Sequence, residues 1–249
     1  MKILYLCHRI PFPPNKGDKI RSFNEIKYLS GSHEIHLACL VDNPADLLYQ
    51  KSLQKYCAQI RIIPLSSSVA KVNSIKNWIF KKPISVGYFY STRLQMAVDD
   101  YLSCNQYDAV YCFSSSMAEY LFRSPHFQNL QISSNGHSAS LVMDFCDVDS
   151  HKWLQYSQNA GFPMNLLFRV ENKRLLAYEK KINRIFHSSI FVTKQETDLF
   201  RRFFPEARNL YTISNGVDHE FFSPSALAGS ALELNISHPV LLFTGAMDY

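Results

Sequence analysis

Neither GxGxxG nor GxxxxGK[ST] occurs anywhere in the 249 residues, which speaks against a nicotinamide dehydrogenase and against a P-loop nucleotidase. No stretch approaches the ~20 apolar residues that a membrane span needs. The N-terminus passes straight into a strand pattern, so no signal peptide is expected. The six cysteines (Cys7, Cys39, Cys57, Cys104, Cys112 and Cys146) show no CxxC spacing. Cys7, Cys39, Cys112 and Cys146 lie in or at the ends of apolar runs, the setting of buried, reduced thiols in a cytosolic protein. HEIH at 33–36 lacks the spacing of a zinc protease and reads as a loop entering a strand. Charge of one sign barely prevails: 26 Lys and Arg stand against 21 Asp and Glu, a net +5. That balance suits an anionic substrate or a membrane surface, and nucleic acid is not expected.

What is present is a regular alternation. KILYLC (2–7), EIHLACL (34–40), QIRIIP (59–64), YDAVYCF (107–113), SLVMDFC (140–146), SSIFVT (188–193) and RNLYTI (208–213) read as strands. Several are nearly continuous in apolar residues, as parallel strands covered on both faces must be. Between them Ile20, Phe23, Ile26 and Leu29 recur at helical steps. Leu175, Tyr178, Ile182 and Ile185 do the same in a long basic helix, and Leu199 with Phe203 in a later one. Repeated strand–helix–strand units imply an α/β fold, a Rossmann-like doubly wound parallel sheet. In the basic helix, Glu171 and Glu179 alternate with cations and read as a solvated, salt-bridged face.

Such sheets bind ligands beyond the C-terminal ends of their strands, where the strand order reverses. His8 and Arg9 leave the first strand there, followed by the stretch IPFPPNKGDKIRSF (10–23). Two readings stand for it. One is an anion-binding loop, with Gly17 opening a helix whose N–H groups face outward and Lys16, Lys19 and Arg21 adding charge. The other is a proline-stiffened turn with Asp18 as the helix N-cap, whose carboxylate would repel a phosphate. VMDFCDVDSHKW (142–153) brings Asp144, Asp147, Asp149, His151 and Lys152 to the same edge. Three carboxylates so close suit acid–base work, hydroxyl recognition or, less well, a divalent metal. The plainer alternative makes Asp149 or Ser150 the cap of the next helix.

TISNGVDHEFFSP (212–224) then places Asn215-Gly216 after a strand, and VLLFTG within HPVLLFTGAMDY (238–249) reads as a fresh strand meeting a glycine turn. With these stretches the sequence resembles family 4 glycosyltransferases of the GT-B fold, and more narrowly the sugar transferases associated with exopolysaccharide and exosortase systems. The resemblance is carried by PFPPNKGDKIRSFNEIKYL (11–29), VMDFCDVDSHKW (142–153), AYEKKINRIF with SIFVTKQETDLF (177–186 and 189–200), NGVDHEFFSP (215–224) and LLFTGAMDY (241–249), in the family's order.

The resemblance implies an acceptor-side Rossmann-like domain over 1–213, an interdomain hinge over 214–237 containing Asn215, Gly216 and Asp218, and the first strand of a second domain over 238–249. It implies transfer of a sugar, with retention, from a nucleotide diphosphate donor to a glycan or lipid-linked acceptor, with no metal or other cofactor. Gly17 matches the first-loop glycine near the donor phosphates, although Asp18 stands where many members carry a second glycine. His8, Arg9, Asp144, Asp147, Asp149 and Lys152 fall on the acceptor side. For a catalytic group, His137, Asp147, Asp149 and His151 are the candidates, none with a clean match. The rival reading is a non-catalytic or split-enzyme acceptor-binding domain that needs a partner chain.

SIKNWIFKKP (74–83) also bears on the acceptor. Ile75, Trp78 and Ile79 would share one helical face near Lys76, Lys81 and Lys82, a combination that favours peripheral contact with the inner face of the cell membrane. Packing of Trp78 into the core is the alternative.

Overall fold

The computed structural model describes residues 1–131, 138–217, 223, 238 and 239. His137, Asp218 and the VLLFTG segment lie outside the described residues. The chain divides into two units, Met1–Ser214 and Asn215–Tyr249.

In chain order the first unit contains β1 (Lys2–Cys7), α1 (Gly17–Ser30), β2 (Glu34–Val41), α2 (Gln50–Leu53), β3 (Gln59–Pro64), α3 (Ser67–Ile79), α4 (Ile84–Tyr88), α5 (Thr92–Cys104), β4 (Ala109–Phe113), α6 (Ala118–Phe122), α7 (Phe127–Gln131), β5 (Ser140–Cys146), α8 (Asp149–Asn159), α9 (Met164–Ile185), β6 (Ser188–Phe191), α10 (Lys194–Phe203) and β7 (Leu210–Thr212). All seven strands pair in parallel in the order β3-β2-β1-β4-β5-β6-β7. This is the α/β, Rossmann-like doubly wound sheet that the strand–helix alternation predicts.

Alternation along β1 shows why the strands are apolar throughout. Ile3, Tyr5 and Cys7 join one core layer with Leu37, Cys39, Phe113 and α1's Ile26. Leu4 and Leu6 join the other with Val110, Met143, Phe191 and residues of α5, α9 and α10. A strand covered on both faces has no polar side to display.

The order reverses between β1 and β4, which pair from Ile3–Ala109 to Cys7–Phe113. The crevice therefore opens where His8 follows β1 and Ser114 follows β4. Ser114 has φ 81° and donates its backbone N–H to the Asp144 carbonyl at 2.8 Å. A non-glycine residue in that region is uncommon and marks a constrained turn.

The long helix α9 departs from its sequence reading. Glu171 and Glu179 are fully buried and cap other helices instead of pairing with cations on a wet face. Glu171 accepts from the N–H groups of Ile84 and Ser85, at 2.8 and 3.0 Å, at the start of α4. Glu179 accepts from the Ser150 N–H at 3.0 Å and its hydroxyl at 2.6 Å, in the first turn of α8. Neither Asp149 nor Ser150 caps α8 from the N-cap position, which is held by Val148. Val148 in turn gives its N–H to Glu196 of α10 at 2.7 Å. Carboxyl groups from distant helices thus satisfy N–H groups at these helix starts.

Burial pushes the Glu179 carboxyl up to about 8, despite the two bonds from Ser150. A folded-state value above the ordinary 4.5 means that the folded chain holds a proton the unfolded chain has released. The stability this group contributes is fully present below 4.5 and is lost as pH rises through about 8. Glu179→Gln keeps an acceptor for Ser150 and is expected to flatten the decline of urea-unfolding stability between pH 5 and 8. An unchanged slope would assign the decline to other groups.

Candidate functional site

The proline-rich loop delivers α1 to the sheet edge, with a start different from that expected. Lys16 occupies the N-cap position with extended backbone and gives no side-chain cap, and Asp18 is the second helical residue. Among the described residues the N–H groups of Gly17 and Asp18 make no hydrogen bond. Gly17 and Lys16 are exposed, and a Cβ added at Gly17 would meet nothing within 4 Å. Gly17 is not in the left-handed region, so its value at this point is open space rather than an unusual turn.

Asp18 turns sideways, toward the end of β1. One oxygen accepts its neighbour's Lys19 N–H at 2.9 Å; the other meets the Arg9 guanidinium and lies 3.4 Å from His8 Nε2. Burial would raise the Asp18 pKa, but the His8 hydrogen bond and the Arg9 charge outweigh it and hold the carboxylate well below its ordinary range. Arg9 reaches on to Asp42, just beyond β2, at 2.9 Å. The His8 ring stacks on Phe113 with centroids 5.9 Å apart and meets Phe89 edge-on at 5.2 Å. Asp18 thus shares the Arg9 guanidinium with Asp42, so two carboxylates stand against one cation and the objection that Asp18 would repel a phosphate is not removed.

Lys19 and Arg21, expected to face an anion, instead point inward. Lys19 is 2% exposed and pairs with Asp46 at 2.5 Å. Arg21 bonds Asp144 through Nε at 2.8 Å and through its terminal nitrogen at 2.7 Å, Glu25 at 3.1 Å, and the Ile213 carbonyl at 2.8 Å. Side chains two and four places beyond Gly17 lie on the buried side of the helix start, so a charge there needs an internal partner.

The three carboxylates of the VMDFCDVDSHKW stretch do not converge. Asp144 is fully buried, held by Arg21, by the Tyr111 hydroxyl at 3.0 Å and by the Cys146 N–H at 2.9 Å across an irregularity in β5. Asp147 and Asp149 stay near the surface, bridged by Lys152 at 2.9 and 3.2 Å. An ammonium thus occupies the place between them that a divalent ion would need. His151 lies in α8 against Phe203, ring centroids 5.9 Å apart. Asn215 and Gly216 are exposed and in no regular element.

No protein-family model and no curated protein matches the chain. Among solved structures, HepE of Anabaena in complex with UDP-glucose aligns with a TM-score of 0.49 at 17% identity, over 91% of this chain and 48% of that one. The N-terminal domain of Candida albicans trehalose-6-phosphate phosphatase aligns with a TM-score of 0.43 at 12% identity, over 91% and 52%. The chain spans about half the length of each. Strand order itself, rather than these similarities, establishes the Rossmann-like class.

Reading the motifs alone missed Asp42, Asp46 and Ser114. Asp42 follows β2 directly and Ser114 follows β4, so inspecting what comes after each strand would have found both. Glu25 had no sequence signal: it is drawn into the crevice floor by Tyr5, which donates its hydroxyl at 2.6 Å, and by Arg21. Burial first, and then the Asp144 charge, push the Glu25 carboxyl up to about 8.

Asp144→Ala would take from the buried Arg21 guanidinium the carboxylate that both its Nε and a terminal nitrogen meet. The expected loss is about 3 kcal/mol of unfolding free energy, read from urea denaturation. A loss under about 0.5 kcal/mol would show that Glu25 and the Ile213 carbonyl suffice.

Proposed function

We propose that this chain supplies the acceptor-side half of a nucleotide-sugar-dependent glycosyltransferase acting in cell-surface or exopolysaccharide synthesis. The observation that supports it most is the joining of two motifs of the family resemblance at one place. The loop 11–29 and the stretch 142–153 are far apart in sequence, yet Arg21 and Asp144 tie them together beside the strand-order reversal. Fold alone would not select this activity.

In this reading the open start of α1, with Gly17 and Lys16, faces the donor diphosphate. Two N–H groups and an exposed ammonium there oppose the negative charge that develops on the leaving diphosphate. His8 and Arg9 border the acceptor, with Asp18 fixing the His8 ring. Asp147, Asp149 and Lys152 form a polar rim able to bind acceptor hydroxyls. Lys19, Arg21 and Asp144 act as positioning residues that hold the loop. No cofactor or metal takes part, and the sugar is transferred with retention. Asn215, Gly216 and Asp218 belong to the hinge toward a second, donor-binding domain. A donor held on one wall of a cleft lacks orientation and exclusion of water.

Nucleotide release from a panel of nucleotide sugars tests this. The chain alone is expected to give no turnover, and addition of a second Rossmann-like domain is expected to restore it. Turnover by the chain alone would remove the need for a partner domain. Acceptor binding without turnover in either arrangement would favour the rival, a non-catalytic acceptor-binding domain; its support is that Met1–Ser214 forms a compact unit by itself.

Gly17→Val is a sharper probe. Since nothing lies within 4 Å of the new Cβ, unfolding stability should change by less than about 1 kcal/mol. Turnover in the two-domain assay should fall at least tenfold, with an increased KM for the donor. Unchanged kinetics would move the diphosphate away from this loop.

A further inference from the structure

The edge of the sheet opposite the crevice carries a hollow of its own. A cleft of about 400 Å³ lies where the chain turns into β6 and β7, between Phe186 at the end of α9 and Phe204 at the end of α10. Because all seven strands are parallel, the length of the sheet separates this place from His8 and Ser114. The two phenylalanines are 3% and 2% exposed and form the inner wall. Arg184, Glu206 and Arg208 also line the cleft, and all three are exposed.

The two arginines come from different segments and are held together by one buried side chain. Asn183, next to Arg184, donates an amide N–H to the Arg208 carbonyl at 2.9 Å and accepts the Arg208 N–H at 3.3 Å. It gives its other amide N–H to Ser189 Oγ at 2.9 Å, in β6. Loop and helix are thereby fixed against each other. Arg184 lies over the Phe204 ring, 4.7 Å from its centroid, and Lys180, one turn earlier, lies 5.6 Å from it.

These cations lack the partners that others in the chain have. Arg9, Lys19, Arg21 and Arg123 all meet carboxylates. Among the described residues Lys180, Arg184 and Arg208 meet none, and Glu206 meets no cation. α9 and α10 both end at this edge, and each helix end adds about half a negative charge. Together with Glu206 they offset two of the three cations, so about one positive charge is left over.

An anion from outside would supply what the fold leaves out. Guanidinium groups match phosphate oxygens in geometry as well as in charge, and a phosphate monoester carries about −1.5 to −2 at pH 7. A zwitterion would call for acid and base in equal measure. Glu206 and the Asn209 amide, also in the lining, suit the hydroxyl groups of an organic part.

We propose that this cleft binds a phosphate monoester of a sugar or nucleoside, with Arg184 and Arg208 on the phosphate and Glu206 on a hydroxyl group. It is a second site, at the far edge from the crevice, and does not depend on glycosyl transfer.

Isothermal titration calorimetry of the full chain tests it with ribose 5-phosphate, AMP, inorganic phosphate and ribose. Both monoesters are expected to bind at least tenfold more tightly than inorganic phosphate, and ribose not at all. The tighter of the two identifies the source, a sugar phosphate or a nucleotide. Arg184→Met keeps the apolar contact with Phe204 while removing the charge. Combined with Arg208→Met, it should weaken monoester binding about 100-fold. Lys16→Met, which removes a charge from the loop at the other edge, should leave that binding unchanged. Arg184 and Arg208 are exposed, so circular dichroism should report an unchanged fold for the double variant. Absence of monoester binding, or affinity no better than that of inorganic phosphate, would overturn the proposal. So would full binding by R184M/R208M, or loss of binding in Lys16→Met, which would move the site to the start of α1.

Discussion

The buried pair between Arg21 and Asp144 is the constraint on which the crevice depends. Asp144 sits at the end of β5 with no exposed surface, and a carboxylate there is tolerable only with a partner of fixed geometry. Arg21 provides it, shares its Nε with Glu25 and donates a further N–H to the Ile213 carbonyl just past β7. A single guanidinium thus fixes α1 with respect to strands on the far side of the order reversal. The rotation of α1 set by this pair also turns Lys19 toward Asp46 and leaves Gly17 and Lys16 at the surface. The openness of the first turn is therefore a by-product of what lies beneath it.

Helix ends follow a similar logic. α4 and α8 lack caps from their own N-cap residues, and α9 supplies Glu171 and Glu179 to them from outside. Local capping would have let each helix form independently. Imported capping makes the ends of α4 and α8 conditional on α9 being docked, so these elements should gain their stability together.

The sheet was legible in the sequence because parallel strands between helices must be apolar on both faces. All seven runs were found within a residue or two at each end, as β1 at Lys2–Cys7 and β5 at Ser140–Cys146 illustrate. Charged side chains were the illegible part. Lys19 and Arg21 look identical in sequence to Lys16, yet helical phase buries the first two and exposes the third. Glu171 and Glu179 sit among cations at salt-bridge spacing, and nothing local tells that their true partners are N–H groups on helices formed by other segments. Asp18 resembled a cap because it precedes apolar periodicity, but the helix begins earlier, at Gly17. Of the site residues, those fixed by strand ends (His8, Arg9, Asp144) were placeable, and those fixed by tertiary pairing were not.

No Asp or Glu lies between Leu47 and Val98. That segment holds eight of the 26 Lys and Arg, so the other 197 residues carry 18 cations against 21 anions. Four of those anions belong to residues 215–249, so within Met1–Ser214 the residues outside that segment carry 18 cations against 17 anions. Nearly all the positive surplus of the first unit therefore comes from one continuous stretch of chain, and its pull on an anion fades over about 8 Å at physiological salt.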